Sequence, residues 1–130
     1  MGSRKLTAED LAQITKRAKG WGKIVVRQAF GADGSGLEVD WSQMEDVAVA
    51  AAAGLTAGAL EEATAQQGRL LGAEQPCPDC GRLCGVAVAE RPVIVRGGAF
   101  AHQEPTCYCP ACRRAFFPAA SAAETRRQRL

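Results

Sequence analysis

Cys77-Pro78-Asp79-Cys80 and Cys109-Pro110-Ala111-Cys112 decide how this chain reads. Each is a Cys-x-x-Cys turn with proline after the first cysteine, and that proline pre-sets the backbone of the turn. At this spacing two thiolates on one tight turn point at the same ion. Two such turns supply the four sulfur ligands of a closed tetrahedral site. The 28 residues between them alternate apolar and polar side chains around turn signals, which predicts two or three short strands. The pattern is that of a zinc ribbon, with one structural Zn2+ held by Cys77, Cys80, Cys109 and Cys112.

Other cysteine chemistries fit less well. Disulfides belong to oxidising compartments, and the polar, charged start from Met1 to Asp10 has no secretory signature. A redox dithiol uses one Cys-x-x-Cys in a βαβ setting, not two turns flanking a hairpin. Iron–sulfur ligation draws on the same residue type and stays open beside zinc. Cys84 and Cys107 read as small, half-buried strand residues. Cys107 shares a strand face with Cys109, two residues on, and could stand in for it as a ligand. His102, the single histidine, is expected on the strand surface, too far from either turn to ligate.

A chain of 130 residues is one small domain or two very small ones. A ribbon of about 40 residues cannot bury a core sufficient to fold alone, so a metal is its expected staple. No apolar run approaches the roughly 20 residues that a membrane span needs, so no membrane partner is expected. With no targeting segment, the cytoplasm is the expected location. The net charge of +2 is unevenly spread: residues 1–30 carry +5, residues 31–76 carry −7, and residues 77–130 carry +4. Four thiolates on one divalent ion would add −2 to the last segment. Any affinity for nucleic acid must therefore come from local patches.

Two helices precede the cysteines. Thr7-Ala8-Glu9-Asp10 resembles a capping box, and Leu11, Ile14 and Ala18 follow at helical spacing. Gly20 and Gly22 leave a choice between helix and strand for Ile24 to Phe30; lacking a pairing partner, the segment is read as helix. Gly31 to Gly36 is a loop. Asp40 with Gln43 opens a second, long, alanine-rich helix that runs to about Leu71 and stops at Gly72. Glu61 and Glu62 are expected on its solvent face. Within the ribbon, Leu83 to Ala89 is a strand, Glu90-Arg91-Pro92 a break, and Val93 to Val95 a second strand. Gly97-Gly98 is a hairpin turn, and Ala99 to Cys107 returns, interrupted at Pro105. Phe116 and Phe117 are expected to pack over the ribbon. The expected fold is α+β: an N-terminal helical hairpin over residues 1–73, a small antiparallel zinc ribbon over 74–118, and a basic tail over 119–130 carrying Arg126, Arg127 and Arg129.

This combination resembles the amino-terminal region of bacterial insertion-sequence transposases of the DDE type. The likeness rests on the long acidic, alanine-rich helix, Cys77-Pro78-Asp79-Cys80-Gly81, the Gly97-Gly98 hairpin, and Tyr108-Cys109-Pro110-Ala111-Cys112 followed by Phe116-Phe117-Pro118. It spans roughly residues 7–118; the second turn with its Phe-Phe-Pro stretch is the most specific part, and Cys107 is an addition to the pattern. A DDE catalytic domain needs hundreds of further residues with three separated carboxylates, and this sequence holds no such segment. The resemblance therefore implies an accessory role on mobile-element DNA: binding DNA ends, or helping subunits assemble on them.

Two functions follow. In the first the chain is a non-catalytic DNA-binding module, with Arg82, Arg91, Arg96, Arg113 and Arg114 meeting phosphates or guanine edges. In the second it is a zinc-stabilised interaction module, self-associating or binding a protein partner through the oppositely charged helices. Four cysteines leave zinc no open position for an activated water, so no enzymatic role and no small-molecule substrate are expected.

Overall fold

The computed structural model describes residues 5–34 and 36–119. The basic tail with Arg126, Arg127 and Arg129 lies outside them. Two helices, α1 (Ala8–Phe30) and α2 (Trp41–Leu71), precede an antiparallel four-stranded sheet, giving the expected α+β order. The chain divides into two compact units, Met1–Ala52 and Ala53–Leu130, with the boundary inside α2.

In the first unit both helix starts are closed by reciprocal side-chain caps. The Asp10 N–H donates to Thr7 Oγ1 at 3.1 Å while the Thr7 N–H donates to Asp10 Oδ2 at 2.8 Å. At α2 the Gln43 N–H donates to Asp40 Oδ1 at 2.8 Å, and the Asp40 N–H to Gln43 Oε1 at 3.0 Å. Each cap satisfies backbone donors that have no partner inside the helix. Ile24-Val25-Val26 is helical, as the lack of a pairing strand predicts; the intrinsic cost of β-branched residues in a helix is only a few tenths of a kcal/mol each. No residue of α1 is buried, and Leu11, Ile14, Trp21 and Ile24 remain about half exposed.

The second unit is built on one long hairpin. Strands β1 (Glu74–Pro76), β2 (Leu83–Val95), β3 (Gly98–Cys109) and β4 (Arg114–Phe116) lie in sequence order, all antiparallel. β1 reaches only Leu83 to Gly85 of β2, and β4 only Cys107 to Cys109 of β3. The sheet is thus four strands wide at its cysteine end and two strands wide beyond it. A two-stranded ribbon is marginal alone, and the second half of α2 supports it. A methyl at Gly98 would lie 3.7 Å from Ala53, and one at Gly68 would lie 3.8 Å from Pro105. Fifteen helical residues at about 1.5 Å and seven strand residues at about 3.3 Å both span roughly 23 Å, so α2 runs alongside β3 from turn to base.

Four expectations fail in this unit. β2 does not break at Glu90-Arg91-Pro92; it continues, with Pro92 opposite Ala101. Beyond Gly85 no strand among the described residues pairs with the outer side of β2, so a missing N–H is tolerated there. Likewise β3 runs through Pro105, which lies opposite Val88. The turn is Arg96-Gly97, closed by Val95 opposite Gly98, and only Gly97 takes the positive φ of 83° that it requires. His102, expected at the surface, is buried: register places it with Phe100, Glu104 and Val93 on the covered face of the hairpin. Its ring lies 5.6 Å from that of Phe100.

Val93 is fully buried while its neighbour Ile94 faces outward at 52% exposure. Val93→Ala should therefore cost about 2 kcal/mol in urea unfolding, and Ile94→Ala less than about 0.5 kcal/mol. Equal costs would contradict the assigned face.

Candidate metal centre

Each Cys-x-x-Cys turn is a miniature hairpin closed by its own backbone. In the first, the Cys77 N–H donates to the Arg82 carbonyl at 2.8 Å, and the Gly81 N–H to the Cys77 carbonyl at 2.9 Å. In the second, the Arg113 N–H donates to the Cys109 carbonyl at 2.7 Å, and Cys109 pairs with Arg114 as β4 begins. Both turns need a left-handed residue directly after the second cysteine. Gly81 fills that position at φ 78°, and Arg113 at φ 56°. A side chain there costs roughly 1 kcal/mol relative to glycine.

Folding of the sheet brings the two turns together. Cys77 leaves β1, while Cys109 ends β3 and Cys112 precedes β4. The ligand atoms of Cys77, Cys80, Cys109 and Cys112 all lie within 4.8 Å of one another. Cys77 and Cys112 sulfurs are 3.8 Å apart, and those of Cys80 and Cys109 3.6 Å. Sulfurs at the corners of a tetrahedron with metal–sulfur bonds of about 2.3 Å stand about 3.8 Å apart. All six cysteines are free thiols, and a disulfide would need sulfurs about 2 Å apart. Four cysteines so placed could coordinate one metal ion.

Cys84 and Cys107 are not part of this quartet. Both are buried beside it, with Val86, Cys112 and Phe116 packed against the cluster. Burial pushes both thiols above their ordinary value, which disfavours the thiolate that ligation needs. They pack; they do not complete the site.

The quartet is electrostatically uneven before a metal enters. The Cys112 N–H donates to Cys109 Sγ at 3.4 Å, and this bond, with thiols of Cys80 and Cys77, draws the Cys109 pKa down to about 6 against the opposing effect of burial. Hydrogen bonds with Cys80 and Cys77, and then burial, push Cys112 up to about 12. One thiolate is therefore in place at neutral pH, cradled by its neighbours' thiols.

The five arginines fall in different places. Arg82, Arg113 and Arg114 stand at the metal end, within or beside the two turns. Arg114 pairs with Asp79 at 3.8 Å across the turns, with both side chains exposed, an interaction worth under about 1 kcal/mol. Arg96 is at the far turn of the hairpin. Arg91 lies between, its Nε 3.7 Å from the fully buried Glu104 carboxylate. The structure thus groups three of the five and commits Arg91 to an internal ion pair. Sequence reasoning missed Glu104 because its face is settled only by cross-strand register. An open groove beside α2 is lined by Glu61, Glu62, Glu90 and Gln103. Two of its carboxylates are engaged: Glu62 by Arg69 at 3.3 Å and Glu90 by Gln103 at 3.0 Å.

Among the described residues no helix is long and apolar enough to cross a membrane. No family model, curated protein or solved structure matches the chain.

Metal binding should release fewer than four protons per ion near neutral pH, because the Cys109 proton is already lost; calorimetry in buffers of differing ionisation enthalpy reads this number directly. Apparent metal affinity should fall steeply as the pH drops through about 6, where that thiolate protonates. Release of four protons at pH 7 would contradict the depressed Cys109.

Proposed function

We propose that this chain is a non-catalytic zinc-ribbon module that binds DNA or helps a protein assembly form on it, in the manner of the accessory regions of transposases. The observation that carries the metal half is the sulfur spacing of 3.6–3.8 Å within one quartet. Zinc is the ion favoured by four thiolates in a closed tetrahedron, and such a site serves structure, not reaction, since no position remains for water or substrate. Iron would fit the same four sulfurs and would betray itself by visible colour.

The nucleic-acid half is supported by arginine placement. Arg82, Arg113 and Arg114 cluster at the metal end, and Arg96 marks the tip of a two-stranded ribbon, a shape that a major groove admits. The motif likeness to transposases points the same way. A mobile-shift titration of the zinc-loaded chain on duplex DNA at two salt concentrations tests it. Affinity should drop steeply between low and physiological salt. No shift at low salt, or a shift indifferent to salt, would remove DNA from the proposal.

A second reading has its own observation. Helix α1 buries no residue while Leu11, Ile14, Trp21 and Ile24 stay half exposed at helical spacing, and the segment is basic where α2 is acidic. Protein partners or self-association through the helices would cover that surface. One metal per chain, concentration-dependent mass by light scattering and no DNA shift would favour this reading over the first.

A further inference from the structure

The two cysteine turns are copies of one design, and they differ at one informative position. The residue after the second cysteine donates its N–H back to the first cysteine's carbonyl in both, and in both it is left-handed. The first turn uses Gly81, the residue that adopts this conformation without strain. The second uses Arg113 at φ 56°, the single non-glycine residue with positive φ among the described residues. The fold gains nothing from this side chain: it is exposed, and it enters no ion pair or side-chain hydrogen bond with any described residue. Arg114 beside it is engaged with Asp79, and Arg91 with Glu104. The turn requires the left-handed backbone but not this side chain, since glycine serves the first turn without strain, and a side chain kept at such a position points to use elsewhere.

We infer that Arg113 is a phosphate-contacting residue of this module, aimed outward by its left-handed backbone and paired in that role with Arg82 of the other turn. The inference rests on the nucleic-acid reading above and narrows it to one end of the ribbon. Arg82 directly follows the left-handed residue of the first turn and Arg113 is that residue in the second, so the backbone hydrogen bonds that close the turns hold the points from which both side chains leave. A guanidinium offers two parallel N–H donors that match two phosphate oxygens, and its charge persists at all working pH values. A turn held by metal and by backbone hydrogen bonds loses little freedom when such a contact forms, which favours binding.

The rival role for Arg113 is internal. Four thiolates around a divalent ion carry a net charge of −2, and a nearby cation offsets it. One variant separates the two. Arg113→Gly removes the side chain and relieves the left-handed strain. In the zinc-loaded full chain, its thermal midpoint and zinc content should equal or exceed those of the wild type. Its affinity for duplex DNA should fall about ten-fold at low salt, and the slope of log affinity against log salt should become shallower by about 0.9, one phosphate contact. Arg113→Lys should restore the slope and part of the affinity. Unchanged affinity and slope in Arg113→Gly would overturn the inference and leave the nucleic-acid reading standing. Loss of zinc would overturn it in favour of charge balance at the sulfurs. Failure of the wild type itself to bind duplex DNA would remove both.

Discussion

Four cysteine sulfurs drawn to one point hold this sheet together. Among the described residues, four of the seven buried apolar side chains are cysteines, and two of them, Cys77 and Cys109, belong to the quartet. The remaining apolar interior is Val93, Phe100 and Ala119, too little to close a sheet by hydrophobic burial at about 25 cal/mol per Å². A metal ion held by the quartet would replace the missing core: it would tie the end of β1, through Cys77, to the end of β3, through Cys109. A structural zinc there would contribute its binding free energy directly to folding, and the short strands β1 and β4, which flank the quartet, are the elements it would hold.

The same site sets the electrostatics at its end of the ribbon. Four thiolates around a divalent ion would leave a dianion close to the surface, and a dianion would repel phosphate. Arg82, Arg113 and Arg114 stand around it, opposed by Asp79. With a metal bound, that end would be a mixed surface in which fixed negative charge lies beneath exposed guanidinium groups. Its outward character depends on which arginines are engaged inside the fold, and Arg114 is while Arg113 is not. Along the length of the hairpin α2 adds support, since its small residues Ala53, near the turn, and Gly68, near Pro105, let it lie close along β3.

Features governed by neighbours in sequence were legible before the structure. The caps at Thr7 and Asp40 depend on residues three apart, and the four candidate ligands depend on two Cys-x-x-Cys spacings. Features governed by distant partners were not. Pro92 looked like a strand break because proline ends ladders, yet β2 has a free outer side that absorbs the lost N–H. His102 looked like a surface residue, and Glu104 carried no local signal of burial. Their burial follows from the register that sets them beside Phe100 and Val93 on the covered face, with Arg91 reaching Glu104. The ion pair of Arg91 with Glu104 was hidden for the same reason. The one-residue shift of the hairpin turn to Arg96-Gly97 was hidden because Gly97-Gly98 satisfies the same glycine preference.

Hydrogen–deuterium exchange on metal-loaded and metal-stripped chain tests the central claim most directly. With metal bound, the amides of Cys77, Gly81 and Arg113, which close the two turns, should be strongly protected along with those of β1 and β4. Stripping the metal should bring all of them to the exchange rate of open chain, and restoring one equivalent of zinc should restore protection. Equal protection of these amides with and without metal would show that the sheet holds without the sulfur quartet, and would contradict the account.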